Sequence, residues 1–166
     1  MNTHQAIEHL NKQIPNPSKG LPEEIFLFVS RLTPLVNVDL LIKDEKDRIL
    51  LSWRDYKYDG TGWHVPGGIV RYKEKLETRI QKVAEKEIGA KVEFDPVPIA
   101  INQIICNHNT RGHFISLLYK CFLSGKFIPK NVGLKKSDNG YLVWHDFDPI
   151  NLIKFHEIYR KYMKKI

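Results

Sequence analysis

The stretch from Trp63 to Ala90 constrains the fold of this chain more than any other part of the sequence. It begins with an apolar segment that ends in Pro-Gly-Gly, and a short loop follows. A helix is predicted from about Lys75 to Ile88, because Gly89 supplies the left-handed residue at which helices commonly end. The chain is therefore expected to be organised around a unit of strand, loop and helix.

Glu87 lies in the middle of the predicted buried stripe of this helix, and the other members of the stripe are Leu76, Ile80, Val83 and Ala84. A carboxylate there loses its water and lies beside the negative end of the helix dipole, so a positive group should face it. Three explanations are open: a side chain that reaches out to solvent at a frayed helix end, a lysine that pairs with Glu87, or a divalent cation. The glycines Gly67 and Gly68 favour the cation, because backbone without Cβ atoms can approach a phosphate and its metal closely.

The spacing of this stretch resembles the Nudix box, which reads Gly, five residues, Glu, seven residues, then Arg-Glu-aliphatic-any-Glu-Glu-any-Gly-aliphatic. The residues that fit this pattern are Gly68, Glu74, Glu87, Gly89 and Ala90. Lys82 stands where the box has Arg, and Val83 and Lys86 stand where it has the first two of its clustered acids. In this departure the chain resembles the GDP-mannose mannosyl hydrolase branch, whose box also loses those two acids and keeps the last one.

The resemblance extends over residues 33–144 and implies an α+β fold, an α/β/α sandwich in which a mixed β-sheet is flanked by helices. Residues 1–32 are then an N-terminal helical extension, and residues 33–166 are the Nudix hydrolase domain. The sequence predicts strands over 35–43, 49–54, 97–106 and 113–123, and the last two are expected to form a hairpin. It predicts helices over 1–12, 21–31 and 150–164, with Asp148 as the cap of the last one, and a loop over 55–62.

The resemblance also implies a metal site and a catalytic base. The carbonyl of Gly67 and the carboxylates of Glu87 and Asp138 would hold Mg²⁺, with Mn²⁺ as the alternative. Asn139 falls where the branch has its histidine base, and an amide cannot take a proton at neutral pH. The identity of the base stays open among His108, His113, His145 and Asp138 acting through water.

The remaining predicted site residues would contact the substrate. By resemblance, Arg54 and Lys82 would reach phosphate oxygens, and Arg71 would partly replace an arginine that the branch has where this chain has Ile69. The aromatic pair Tyr56 and Tyr58 could stack on a nucleotide base or simply pack down.

Asp39 lies within an apolar strand, on the same face as Asn37, and a carboxylate in that setting needs a partner. One reading is a hydrogen bond to a neighbouring turn. The other, which the resemblance implies, is that Asp39 orients the sugar or contacts water on the metal.

Composition and charge limit the classes of function. The 166 residues suit one domain, and the two cysteines, Cys106 and Cys121, form no scaffold or metal-ligand spacing. No apolar run is long enough to cross a membrane, and no signal peptide pattern begins the chain, so a cytoplasmic protein is expected. The net charge of +7 favours anionic partners. Nucleic acid is not expected among them, because no aromatic and basic recognition motif accompanies the charge.

The sequence therefore favours Mg²⁺-dependent hydrolysis of a nucleotide sugar of the GDP-mannose type, which releases a nucleoside diphosphate and the sugar. Two alternatives stay open: a pyrophosphatase that splits the P–O–P bond of a nucleotide derivative, and a catalytically silent module that binds a nucleotide sugar. A homodimer is compatible with the resemblance, since N-terminal segments in this branch commonly make packing or dimer contacts.

Overall fold

The computed structural model describes residues 1–56 and 60–164, with the backbone but not the side chain of Tyr56. The helices are α1 (Thr3–Gln13), α2 (Glu23–Val29), α3 (Leu76–Val83) and α4 (Arg160–Met163). The strands are β1 (Leu35–Lys43), β2 (Ile49–Tyr56), β3 (Gly60–His64), β4 (Gly67–Ile69), β5 (Glu93–Phe94), β6 (Ala100–Ile105), β7 (His113–Phe122) and β8 (Leu142–His145). Short 3₁₀ helices cover Pro17–Lys19 and Lys154–Tyr159.

The strands form one mixed sheet around β1. The path β3-β2-β1-β7-β5 runs across it, while β4 pairs with β1, β6 with β7 and β8 with β2. Strands β1 and β7 are parallel over their whole length, from Leu35 opposite Phe114 to Lys43 opposite Phe122, and the other pairs are antiparallel. The bounds of β1 are those predicted, and the predicted pairing of β6 with β7 as a hairpin is confirmed.

Each face of the sheet packs against helical structure. Alternate residues of β1 point to opposite faces: Leu40 belongs to a core that includes Ile80 of α3, while Leu41 belongs to a core that includes Tyr159 and Met163 near the C-terminus. The helix that carries the motif therefore lies on one face, and the C-terminal segment lies on the other.

Helix α3 continues through a π turn, Ala84–Ile88, which Gly89 ends in the predicted left-handed conformation at φ 77°. The N–H of Gly89 donates to the carbonyls of Ala84 and Glu85 at 3.0 and 3.1 Å. The predicted stripe is largely confirmed, since Ile80, Val83 and Ala84 are buried. Such π turns are frequent at functional sites, and this one carries Glu87.

Two predicted segments were wrong. The loop predicted over 55–62 is largely a hairpin, in which β2 continues to Tyr56 and Asp55 pairs with Thr61 of β3. The closing helix predicted over 150–164 begins only at Lys154 and is 3₁₀ as far as Tyr159. Asp148 does not cap it, because its carboxylate accepts a hydrogen bond from Arg160 at 2.8 Å instead.

The first 32 residues form two helices joined by the short 3₁₀ helix. Asn2 caps α1 by accepting a hydrogen bond from the N–H of Gln5 at 2.9 Å, and no residue of α1 is buried. Helix α2 buries Ile25 and lies beside the cavities described below. Within residues 1–56 and 60–164, no helix combines the length and the apolar character that a membrane crossing requires.

Candidate active site

A cavity of about 750 Å³ opens beside β1 and β4, within the size range of small-molecule sites. We call it the main cavity. Its walls come from α2, the Gly67–Ile69 strand, the π turn, the turn between β6 and β7, and the 3₁₀ helix near the C-terminus. The polar side chains on which the argument below depends are Asp39, His64, Glu87, His108 and His156. Three of these, Asp39, Glu87 and His108, were predicted site residues.

The carbonyl of Gly67 points away from β1. The N–H of Leu40 donates to the carbonyl of Pro66 at 2.8 Å, and Gly67 lies opposite Asp39 in the antiparallel ladder. In an antiparallel pair, alternate residues direct their N–H and C=O groups towards the partner strand. Pro66 directs its carbonyl towards β1, so Gly67 directs its N–H and C=O away from β1, and Gly67 lines the cavity. The backbone of Gly67 therefore faces the cavity, which is where the predicted metal site would require it.

Packing also requires glycine at these two positions, which sequence reasoning attributed to a ligand alone. A Cβ atom at Gly67 would overlap Oδ1 of Asp39, and one at Gly68 would lie 2.7 Å from Cγ2 of Val83. Both glycines let β4 lie close to its neighbours.

Glu87 pairs with Arg54 of β2. Its Oε2 lies 2.8 Å from Nη2 of Arg54, and the two side chains are only 15% and 18% exposed. Burial raises the pKa of the Glu87 carboxyl, while Arg54 opposes that rise. In the part of the chain that the structure describes, the positive partner expected from the sequence is an arginine from a different strand rather than a lysine.

Asp39 is the centre of a buried hydrogen-bond network. Its Oδ2 accepts from the hydroxyls of Ser116 and Tyr159 at 2.5 and 2.7 Å, and its Oδ1 accepts from the amide of Asn37 at 2.7 Å. Burial raises its pKa, and these three hydrogen bonds oppose the rise. The partners lie on strands and on the C-terminal 3₁₀ helix, so the predicted hydrogen bond to a turn is not among them.

Two histidines that sequence reasoning did not assign lie in the main cavity. The rings of His64 and His156 have centroids 4.3 Å apart. Nδ1 of His156 accepts a hydrogen bond from the N–H of Val65 at 2.9 Å, so its proton is on Nε2. Burial lowers the pKa of His156 to about 3. Burial, His156 and Arg54 together hold the pKa of His64 well below its usual value. Both rings are therefore neutral at pH 7.

The pKa of His156 predicts loss of stability in mild acid. The unfolded chain protonates this ring below about pH 6.5 but the folded chain only below about pH 3. The unfolded state thus binds more protons in between, and stability falls as the pH falls. The expected contribution is up to about 1.4 kcal/mol of unfolding free energy per pH unit. His156→Asn keeps an acceptor for Val65, and urea titrations should show a shallower loss between pH 6.5 and 4. Equal slopes in both proteins would contradict a neutral His156.

The other predicted residues are distributed around the site. Lys82 binds Glu74 at 2.9 Å, and Arg71 donates to the carbonyl of Lys19, so both lie on the side of α3 and the N-terminal extension. Asp138 is not among the cavity-lining residues that the structure describes, and its carboxylate accepts from the N–H of Lys135 at 2.8 Å. Tyr58 and the side chain of Tyr56 lie outside the described residues.

Of the three candidate histidine bases, the structure places His108 at the main cavity, where its ring contacts Phe155 with centroids 6.2 Å apart. The ring of His113 bonds the amide of Gln103 at 3.0 Å. His145 packs edge-on against Trp63 with centroids 4.4 Å apart. Neither of these two is among the residues that line the main cavity.

The main cavity fits one hard cation better than a cluster of cations. Among the described residues, no group of three or more His, Cys, Asp or Glu side chains could hold a metal ion. Glu87 and the outward carbonyl of Gly67 nevertheless offer oxygen ligands of the kind that Mg²⁺ prefers, and Mg²⁺ usually takes one or two carboxylates with water and substrate phosphates. Burial raises the pKa of both Asp39 and Glu87, because each carboxylate has lost the water that would stabilise its charge.

Comparisons with known proteins agree with this architecture. A family model described as the NUDIX domain matches residues 33–166. The low-salt glycan biosynthesis protein Agl8 of Haloferax volcanii is 32% identical over 83 residues, which are 50% of this chain and 53% of that protein. The chain therefore spans about half the length of this curated relative.

Solved structures share the fold at low sequence identity. The MutT NUDIX hydrolase from Burkholderia pseudomallei superposes with a TM-score of 0.62 and 23% identity, over 78% of this chain and 97% of that one. The MutT protein from Methanosarcina mazei Go1 gives 0.59 and 18%, over 79% and 94%. The predicted α+β fold, a mixed sheet flanked by helices, is confirmed.

Proposed function

The chain belongs to the Nudix family of hydrolases, and on that premise we propose that it hydrolyses a nucleoside diphosphate sugar of the GDP-mannose type with one Mg²⁺ ion. The products would be the nucleoside diphosphate and the free sugar. Nudix hydrolases generally use divalent metals, which supports the proposed Mg²⁺ ion. The proposed compartment is the cytoplasm. The observation that carries the proposal is that Glu87, which pairs with Arg54, and the outward face of Gly67 meet at a cavity that Asp39 also lines.

In this proposal each residue has a defined task. Glu87 and the carbonyl of Gly67 would hold the ion, which when bound neutralises charge on the departing diphosphate. Arg54 would bind phosphate oxygens, because the planar fork of donors in a guanidinium matches the geometry of a phosphate group. Asp39, fixed by Ser116 and Tyr159, would accept a hydrogen bond from the sugar.

His108 is the proposed base, since it lines the main cavity. A water oxygen forms a bond to the anomeric carbon while the bond from that carbon to the diphosphate oxygen breaks. The electron pair leaves with the diphosphate, and the proton of the water passes to His108. General base catalysis of this kind contributes about 10²- to 10⁴-fold in rate.

Two observations support a sugar-bearing substrate over a P–O–P substrate. Clusters of carboxylates that hold several cations suit phosphorus chemistry, and the described residues contain no such cluster. The Haloferax volcanii relative is named for glycan biosynthesis, which fits a sugar donor.

A silent nucleotide-sugar binding module is the second candidate, and one observation favours it. Asn139 stands at the position where the GDP-mannose mannosyl hydrolase branch has its base. Its side chain accepts a hydrogen bond from the N–H of Asp55 in β2 at 2.6 Å. This side chain therefore has a structural role. The module would bind the same ligand without turnover.

A panel of nucleotide sugars with Mg²⁺ should yield a nucleoside diphosphate and free sugar, with GDP-mannose among the best substrates. Ion-exchange chromatography of the nucleotides and a reducing-sugar assay identify the products. A nucleoside monophosphate with a sugar phosphate would contradict the proposal in favour of the pyrophosphatase. Saturable binding without any product would contradict it in favour of the silent module.

A further inference from the structure

His156 is a polar residue on a largely apolar stripe. It lies in the 3₁₀ helix Lys154–Tyr159 and is only 6% exposed. It shares its buried stripe with Leu152, Tyr159 and Met163. A phenylalanine would fill much the same space and would bring no polar group that needs a partner. His156 also lines the main cavity, so the partners of its two ring nitrogens indicate what it does there.

The contacts of His156 fix the direction of its one N–H. Nδ1 accepts from the N–H of Val65 at 2.9 Å, so the proton is on Nε2, on the edge of the ring away from that backbone. The ring also contacts the rings of His64 and Tyr159, with centroids 4.3 and 4.9 Å away. In the described part of the chain, no protein group accepts from Nε2–H. A buried N–H without an acceptor is costly, so a group inside the main cavity should accept from this one.

The charge of the ring limits the kind of acceptor. Burial lowers the pKa of His156 to about 3, so the imidazole is neutral at pH 7. Charged donors bind phosphate oxygens far better than neutral donors do, and the bond from a neutral N–H is an ordinary one. His156 is therefore better suited to a hydroxyl group than to a phosphate group.

The anionic part of a nucleotide sugar would lie elsewhere in the main cavity. A second cavity of about 440 Å³, between the N-terminal extension and α3, adjoins the main cavity along Gly67–Ile69 and at Glu87. The cations in its described lining are Arg71, Arg79, Lys82 and Lys86. These charges favour the diphosphate at the boundary beside Glu87 and its proposed Mg²⁺ ion. The wall that contains His156 is then left for the uncharged sugar.

Tyr159 connects His156 with Asp39, the proposed acceptor for the sugar. The hydroxyl of Tyr159 donates to Oδ2 of Asp39 at 2.7 Å, while its ring contacts the ring of His156. The C-terminal 3₁₀ helix therefore places a neutral N–H donor near a carboxylate acceptor, and both residues line the main cavity. A hydroxyl group can donate and accept, so neighbouring sugar hydroxyls could use both groups together.

We propose that His156 determines specificity for the sugar, because its Nε2–H donates a hydrogen bond to one of the sugar hydroxyls. The inference rests on the proposed function and deepens it, since it names the residue that recognises the sugar. The hydrogen bond from Val65 and the ring contact with Tyr159 hold the imidazole in place. The donor is thus fixed before the substrate binds, which lowers the entropic cost of recognition.

Two amide variants separate this role from a purely structural one. His156→Asn keeps an acceptor for Val65 but is too short to place a donor where Nε2 lies. His156→Gln places an amide N–H there but loses the acceptor near Val65. A structural role therefore predicts a greater defect in His156→Gln, whereas the specificity role predicts weaker sugar binding in His156→Asn.

Isothermal titration with Mg²⁺ compares GDP with a methylene analogue of GDP-mannose. In the analogue, CH₂ replaces the oxygen between the anomeric carbon and phosphorus, so binding is measured without hydrolysis. His156→Asn should weaken binding of the analogue about five- to tenfold, the effect of losing one neutral hydrogen bond, and binding of GDP less than about twofold. His156→Gln should weaken binding of the analogue less than about threefold, because the donor is kept.

The matched control is His9→Asn, the same change at an exposed residue of α1 that lines neither cavity, and it should leave both affinities unchanged. Equal weakening of both ligands by His156→Asn, or weaker analogue binding in His156→Gln than in His156→Asn, would overturn the role of His156. The expected affinities without turnover of GDP-mannose would support that role and contradict the hydrolysis alone. A wild type that does not bind the analogue would contradict both. Thermal unfolding establishes that the compared proteins are folded.

Discussion

Glu87→Gln should lower turnover of the nucleotide sugar by about 100-fold or more, the size of effect that follows from removing one electrostatic stabiliser of a departing charge. Glutamine keeps the shape of the side chain but loses the charge that pairs with Arg54 at 2.8 Å and that would hold the cation. The expected signature is a fall in kcat that added Mg²⁺ does not restore. Steady-state kinetics at several Mg²⁺ concentrations measure it, with circular dichroism to verify the fold.

Glu85→Gln is the matched control for this variant. Glu85 lies in the same π turn, is exposed, and lines neither cavity, so the same chemical change should leave kcat within about twofold of the wild type. Equal activity of Glu87→Gln and Glu85→Gln would reject Glu87 as a residue of the active site.

Gly67→Ala should be the most destabilising of the small substitutions near the site. The added Cβ would overlap Oδ1 of Asp39, which three hydrogen bonds hold in place, and would lie 3.0 Å from the backbone carbonyl of Val38. Neither neighbour can move without breaking the network or the ladder. Overpacking of this kind costs about 3 kcal/mol of unfolding free energy. Urea denaturation monitored by tryptophan fluorescence measures the loss.

Gly68→Ala provides the comparison for Gly67→Ala. Its Cβ would meet one methyl group of Val83 at 2.7 Å, with no carboxylate or backbone atom among its near contacts. A side-chain methyl can shift more easily, so the expected cost is about 1 kcal/mol. A smaller loss in Gly67→Ala than in Gly68→Ala would contradict the close packing of β4 against Asp39.

Local patterns predicted the elements whose cause is local. The apolar run from Leu35 to Lys43 became β1 with the same bounds, and the spacing of Ile80, Val83 and Ala84 gave the buried stripe of α3. Gly89 ended the helix as expected because a residue at φ 77° favours glycine. These features depend on neighbours within a few residues in the sequence.

The features that sequence reasoning missed depend on pairing that only the fold reveals. Strand β2 continues past its predicted end because Asp55 and Tyr56 pair with Thr61 and Gly60 of β3, and the side chain of Asn139, more than 80 positions away, accepts from the N–H of Asp55. The partner of Glu87 could not be chosen from the sequence, since many cations were available and only the fold brings Arg54 to it.

His156 could have been found from spacing. Leu152, His156, Tyr159 and Met163 recur at intervals of three and four, and all four are buried. That pattern places a histidine on an apolar stripe and predicts a buried ring. His64 offered no comparable signal, because it follows Trp63 at the end of a short strand, and its contact with His156 arises from the fold.

The position of bond cleavage tests the central claim most directly. Hydrolysis of the nucleotide sugar in water enriched in oxygen-18, followed by mass spectrometry of the nucleotide product, shows which atom the water attacks. Attack at the anomeric carbon, which we predict, leaves the nucleoside diphosphate unlabelled and places the label in the sugar. A nucleotide or sugar phosphate that carries oxygen-18 would show attack at phosphorus and would contradict the proposed reaction.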